Sequence, residues 1–235
     1  MTVLVAAVGG ERRYAGALVA PGSAPSAEHP ALCTSPSGLW VLSDALVCLM
    51  PMTEAHVPSV ARAVSDPHGA SMLRHYLGTC HGPEERQDQV RRMLLGPLGR
   101  DKVVFAVMVG PVRPALTPKS SPLSGKWRTV GVRWLELVDD GGGELTCGGW
   151  VHRAHRGRGV GGAALRLALS YGYQVLGAEK VVTATRRDNF PAQANLARAG
   201  FRRTEDDDPL LETWAHTDRS AVARLVITQV PRTPG

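Results

Sequence analysis

The chain has 235 residues, 43% of them hydrophobic, with a formal net charge of +6 and a pI near 9.5. It is long enough to bury a full core without disulfide or metal staples, and too apolar for a disordered chain. Its positive balance favours anionic ligands, nucleotides among them.

The cysteines Cys33, Cys48, Cys80 and Cys147 are scattered without metal-ligand spacing, which predicts reduced thiols in a cytoplasmic protein and no metal. Aromatics make up 5% of the chain and are not interleaved with the basic residues, so nucleic acid is not an expected partner. No apolar run approaches membrane-spanning length, so no membrane partner is expected. The N-terminal "TVLVAAVGGE" lacks the basic start of a signal peptide.

Residues 1–40 are rich in Ala, Gly, Pro and Ser, with two short strand candidates, "VLVAAV" and "YAGALVA". They form an N-terminal extension of unassigned role; residues 41–235 form the domain. Ala45–Met50 predicts a strand and Pro51 a turn. A helix then follows, capped by Thr53, with Val57, Val60 and Val64 on its apolar face. "GASMLRHYL" and "PEERQDQVRRMLLG" predict helices, the second opening on Pro83 and two glutamates. "KVVFAVMVG" is a buried strand, "PVRPALTPKSSPLSGK" a loop, and "TVGVRWLELV" and "LTCGGWV" are strands joined by the turn "DDGGGE". After them come a helix ("GGAALRLALSYGYQVLG"), a strand ("EKVVTAT") and a short helix ("FPAQANLARAG"). The late strands "FRRT" and "LLETWAHT" follow, then a tail that suits helix or strand. The fold class is α/β (α+β), with a mixed, mostly antiparallel sheet and flanking helices.

The chemistry concentrates in "WVHRAHRGRGVGGAAL", Trp150 to Leu165, where arginines and histidines alternate with glycines just before a helix. Glycines let backbone amides approach a pyrophosphate. A helix N-terminus adds its dipole, and Arg156, Arg158 and His155 add charge. A P-loop would need Gly-Lys-Ser/Thr, which is absent. A dinucleotide fingerprint is met by Gly157, Gly159 and Gly162, but too little chain follows for the further strand–helix units of an NADP-binding domain.

The stretch resembles motif A of the GNAT acetyltransferase superfamily, Arg/Gln-x-x-Gly-x-Gly/Ala, met by Arg156, Gly159 and Gly161. "DNFPAQANLARAGFRR" resembles its motif B through Asn189, Ala192, Gly200 and Phe201, and "LMPMTEAH" is similar to the opening of the RimJ/RimL-like branch. The resemblance spans roughly residues 44–220. It implies a splayed strand pair, "LTCGGWV" beside "KVVTAT", that holds the thioester of acetyl-CoA (coenzyme A as co-substrate). It places the coenzyme on Trp150, Val151, His152, Arg156, Gly157, Arg158, Gly159, Val160, Gly161, Gly162 and Asn189. The amides near Trp150 and Val151, beside a bulge at Gly148–Gly149, would polarise the thioester carbonyl. The acceptor implied is a primary amine: a peptide or protein N-terminus, or a small molecule of antibiotic type.

The amine must lose a proton before attack. Glu144 is the first candidate base and Glu136 the second. His152 is a lesser one, and His216 and Asp218 are placed to reach the acceptor or to line a solvated edge. Arg186 and Arg187 are candidates for phosphate or anionic-acceptor contacts. The resemblance fails at the general acid, where Leu196 and Ala192 replace the family's tyrosine and serine. An acyl-CoA-binding regulatory domain without catalysis therefore stands as the alternative. Edge-strand pairing into a homodimer is compatible with such a domain.

Overall fold

The computed structural model describes residues 40–43, 47–65, 82–95, 102–110, 127–138, 143–205, 208–222 and 227–229. Their strands are β1 (Trp40–Ser43), β2 (Cys48–Pro51), β3 (Lys102–Val109), β4 (Arg128–Leu137), β5 (Glu144–Val151), β6 (Lys180–Arg186), β7 (Arg202–Arg203), β8 (Leu211–His216) and β9 (Ile227–Gln229). The helices are α1 (Val57–Ala63), α2 (Pro83–Leu94), α3 (Val160–Gln174) and α4 (Phe190–Arg198). The strands make one sheet in the order β7-β8-β6-β5-β4-β3-β2-β1-β9. Its one parallel pair is β5 with β6; every other neighbour is antiparallel. The expected mixed, mostly antiparallel sheet with flanking helices is present.

Alternating side chains send two apolar sets to opposite faces of β4 and β5. Leu135, Leu145, Cys147 and Val151 pack with α3, whose small and apolar residues Ala163, Ala164, Leu165, Ala168 and Leu169 are buried. Val132, Trp134 and Trp150 pack on the other face with Val57, Val60 and Val64 of the α1 region and Val90, Met93 and Leu94 of α2. The Trp134 and Trp150 rings meet edge to face at 5.7 Å. The caps follow local chemistry: Pro83 opens α2 over Glu84 and Glu85, and the Thr53 amide donates to His56 Nδ1 at 3.0 Å where the chain enters α1.

Two expectations are corrected. Pro51 is not a turn but the last residue of β2, opposite Phe105. Gly148–Gly149 is not a bulge, since β4 and β5 stay in unbroken register from Gly131↔Val151 to Leu137↔Leu145. The break lies on the other side of β4, between Val107 and Met108 of β3. The two glycines serve close packing instead: a methyl at Gly148 would overlap the Trp134 indole, and one at Gly149 the Val132 carbonyl. The open choice for the tail resolves to strand at β9, which pairs with β1, a strand the sequence reading did not identify. The two N-terminal strand candidates, the "GASMLRHYL" helix, the 111–126 loop and most of the "DDGGGE" turn lie outside the described residues.

Candidate active site

β5 and β6 pair over three positions, Glu144↔Lys180, Leu145↔Val181 and Thr146↔Val182. Beyond them β5 follows β4 as far as Val151, and β6 follows β8 as far as Arg186. A wedge therefore opens toward the C-terminal ends of the two strands. At its vertex the Cys147 thiol is hydrogen-bonded to Thr183. α3 starts at the open end, where a methyl on Gly161 would touch Val151 at 3.8 Å.

Ladder phase decides which amides face the wedge. In an antiparallel pair, alternate residues bond across the pair and the intervening ones turn outward. The Val138 amide donates to the Glu144 carbonyl at 3.2 Å, and the His152 amide to the Val130 carbonyl at 2.7 Å. The even-numbered residues of β5 are thus bonded to β4 and the odd-numbered ones turn toward β6; past the last bridge, at Thr146↔Val182, the amides of Gly149 and Val151 face the space that β6 has left. Of the two amides expected to polarise a carbonyl, Val151 faces the wedge. Trp150 belongs to the β4 ladder, and Gly149 takes its place.

The loop from residue 152 to residue 159 is held by its own groups. Arg156 Nε donates to the Val151 carbonyl at 2.9 Å, fastening the loop to the end of β5. His152 Nδ1 accepts the Ala154 amide at 3.2 Å, so this ring shapes the loop. Gly157 and Gly159 take φ of +71° and +80°, a left-handed conformation that glycine adopts freely. The Gly159 carbonyl accepts the Ala163 amide at 2.9 Å and starts α3. The first-turn amides of Val160, Gly161 and Gly162 have no intrahelical acceptor, and the helix dipole adds to their pull on an anion. The side chains of Arg153, Arg156 and Arg158 are exposed around them. Burial holds the His155 imidazole below its ordinary pKa, and the nearby charges of His152, Arg158 and Arg128 add to the depression. A loop whose field disfavours one more proton favours a phosphate.

Asn189 is placed differently from the expectation. Its Oδ1 accepts the Ala192 amide at 3.4 Å and its Nδ2 donates to Thr185 Oγ1 at 3.1 Å, so it caps α4 and ties it to β6. The α4 side chain that stands against the start of α3 is Asn195. A methyl at Gly162 would come to 2.9 Å of its Oδ1. The sequence reading passed over Asn195, although a polar residue beside Leu196 in motif B was a usable signal.

Both candidate bases lie on the face of the sheet that carries Trp134, Trp150, α1 and α2, since Glu144 and Glu136 alternate with those tryptophans. Glu144 sits at the closed end of the strand pair, ion-paired to Lys180 at 2.7 Å. At about 3.3 Å per residue it is roughly 17 Å along β5 from Gly149. Glu136 is opposite Thr146, roughly 10 Å from the level of Gly149. It is ion-paired to Lys102 at 3.3 Å. Glu136 is therefore nearer the level of Gly149 than Glu144, the residue expected to come first.

His216 belongs to the core, 1% exposed, with the Tyr173 hydroxyl 2.9 Å from Nδ1. Asp218 is exposed and accepts from the Ser220 amide and hydroxyl. Arg186 pairs with Asp188 at 2.7 Å, and Arg187 donates to the Asp208 carbonyl at 2.9 Å. Leu196 is a core residue packed with α3.

One residue of the wedge was missed altogether. Arg133 on β4 is opposite Gly149 and shares its face. Its side chain is 8% exposed, its Nε has no hydrogen-bond partner, and its Nη2 reaches the Gly161 carbonyl only at 3.5 Å. A charged residue inside the apolar run "GVRWLEL" was the signal.

A search of the curated proteins finds no sequence match. Solved structures do share the fold. Mycobacterium smegmatis RimJ in complex with CoA-disulfide superposes with a TM-score of 0.54 at 19% identity, over 77% of this chain and 86% of that one. RimL, the ribosomal L7/L12 alpha-N-protein acetyltransferase, gives 0.56 at 14%, over 80% and 99%. A GNAT-family acetyltransferase from Bacillus anthracis gives 0.57 at 12%, over 75% and 98%. Residues 47–202, from β2 through the wedge and α4 to the start of β7, match the Acetyltransferase (GNAT) domain, and the chain belongs to that family.

Proposed function

We propose that the chain is an N-acyltransferase that takes acetyl from acetyl-CoA and passes it to a primary amine. The observation that carries this is the wedge between β5 and β6, with the Gly149 and Val151 amides turned into it and the α3 N-terminus at its mouth. The loop from Arg156 to Gly162 binds the pyrophosphate through its amides and arginines. The two wedge amides donate to the thioester carbonyl and stabilise the oxyanion that forms there. The amine approaches from the face of Trp134 and Trp150 and gives a proton to Glu136 through water. Its nitrogen then forms the new C–N bond, the C–S bond breaks, and the electron pair leaves on sulfur. A coenzyme thiol is acidic enough to depart without a donor in place of Leu196 or Ala192.

The acceptor class is drawn from likeness to RimL, an alpha-N-protein acetyltransferase of ribosomal L7/L12; a peptide or protein α-amine comes first and a small-molecule amine second. Isotope-labelled acetyl-CoA, incubated with the protein and fractionated extract, is expected to label one amine-bearing fraction by mass spectrometry. Glu136→Gln should lower kcat by about a hundredfold or more, whereas Glu144→Gln should change it by less than about threefold. Equal losses in the two variants would refute the assignment of the base. A second reading, binding without transfer, draws on the burial of Leu196 in the core. Coenzyme binding with no labelled fraction would select it.

A further inference from the structure

Arg133 is a cation without a counterion among the described residues. Among the described residues no carboxylate pairs with it, and its one hydrogen bond, to the Gly161 carbonyl, is at 3.5 Å. The ionisable group beside it is the Cys147 thiol, which burial pushes up and so keeps neutral. A buried guanidinium with no anion is strongly unfavourable unless something else compensates it. It is also directed. Arg133 shares the α3 face with Gly149, and a methyl on Gly149 would come to 3.1 Å of its Nε. With no side chain at Gly149, the guanidinium packs over the residue whose amide faces the wedge.

The pyrophosphate does not suit this position. The exposed loop at the mouth of the wedge already offers it amides and arginines, whereas Arg133 starts from the level of the Gly149 amide and meets α3 at the Gly161 carbonyl, which points along the helix away from the first-turn amides. A neutral oxygen of the coenzyme arm would accept a hydrogen bond but leave the charge uncompensated. A carboxylate satisfies both demands, since a guanidinium binds it through paired, charge-assisted hydrogen bonds. A four-carbon dicarboxylic acyl chain places its carboxylate about 4 Å beyond the thioester carbonyl carbon, counting three C–C bonds near 1.5 Å.

We infer that the wedge accepts, besides acetyl, acyl groups that end in a carboxylate, and that Arg133 is the residue that recognises it. This rests on the proposal that the wedge holds the coenzyme thioester. The transfer is balanced as for acetyl: the amine nitrogen bonds to the acyl carbon, sulfur leaves with the C–S electron pair, and one ammonium proton ends on the thiol. The product is an amide with a free terminal carboxylate.

Calorimetric titration of the full chain with succinyl-CoA and with acetyl-CoA tests the inference. The wild type is expected to bind succinyl-CoA at least about tenfold more tightly. Arg133→Met should bring the ratio of the two dissociation constants close to one, and Arg133→Lys should keep part of the preference. The apo form of Arg133→Met is expected to melt at a higher temperature than the wild type, because an uncompensated buried charge is gone. Equal affinities in the wild type, or a preference that survives Arg133→Met, would overturn the inference and leave the coenzyme site standing. Binding of neither thioester would overturn both. If Arg133→Met fails to fold, the wild-type ratio and Arg133→Lys decide: no succinyl preference in the wild type, or one that Lys keeps in full, counts against Arg133.

Discussion

Gly157→Ala isolates the role of loop conformation in holding the coenzyme. Gly157 has φ of +71°, and a methyl group built on it meets nothing within 4 Å. The substitution therefore adds no clash, and what it adds is the cost of holding an L-residue in the left-handed region, about 1–2 kcal/mol. If the amides of the loop must keep this arrangement to cradle the pyrophosphate, that cost passes into binding. At about 1.4 kcal/mol per tenfold, acetyl-CoA affinity falls roughly fivefold to thirtyfold. Asparagine visits the left-handed region far more readily than alanine, so Gly157→Asn should lose clearly less than Gly157→Ala. Titration calorimetry on the wild type and the two variants reads all three affinities. Unchanged affinity in Gly157→Ala would mean that the coenzyme does not depend on this loop conformation. An Asn variant as weak as the Ala variant would mean that something other than left-handed strain is at work.

At Gly159, φ of +80° and the first turn of α3 coincide, so Gly159→Val combines strain with a branched side chain beside the phosphate position. Its coenzyme affinity should fall by at least about tenfold, measured in the same titration. Gly162→Ala should destabilise the fold by about 1 kcal/mol in urea melts, because its methyl meets Asn195 Oδ1 at 2.9 Å. Adding Asn195→Ala should restore most of that loss, and additive effects would refute the contact. His216 supplies a pH dependence. Burial lowers its pKa, so the native ring stays neutral while the unfolded one takes up a proton below about pH 6.5. The unfolded state then binds more protons, and stability falls with pH from about 6.5 down to the native pKa. Urea melts across that range should show the slope in the wild type and a weaker one in His216→Gln.

The parts of the site that were legible in the sequence are those fixed by local chemistry. The Arg156–Gly162 loop could be read because glycines at Gly157 and Gly159 announce positive φ, and a run of small apolar residues announces the helix behind them. The parallel pair was legible only through the resemblance to the family; the strand, helix and strand in succession are consistent with it. What could not be read depends on ladder phase and register, which no local pattern encodes. Shifting β4 by one residue against β5 would turn the Trp150 amide into the wedge and take Gly149 out of it. The same register brings Thr146 to Glu136 and so sets that carboxylate three residues from the level of Gly149, while the separate β5–β6 register brings Lys180 to Glu144. It also lays Arg133 across Gly149. In sequence that arginine is one charge in an apolar run; only its partner on the next strand shows that it packs over a glycine, with no carboxylate to meet among the described residues. The chemistry of the wedge thus hangs on one long-range alignment, that of β4 with β5, and Trp134 over Gly148 is the contact that locks it. A side chain at Gly148 would push against that indole and strain the register, which makes the tryptophan a determinant of which amides face the wedge.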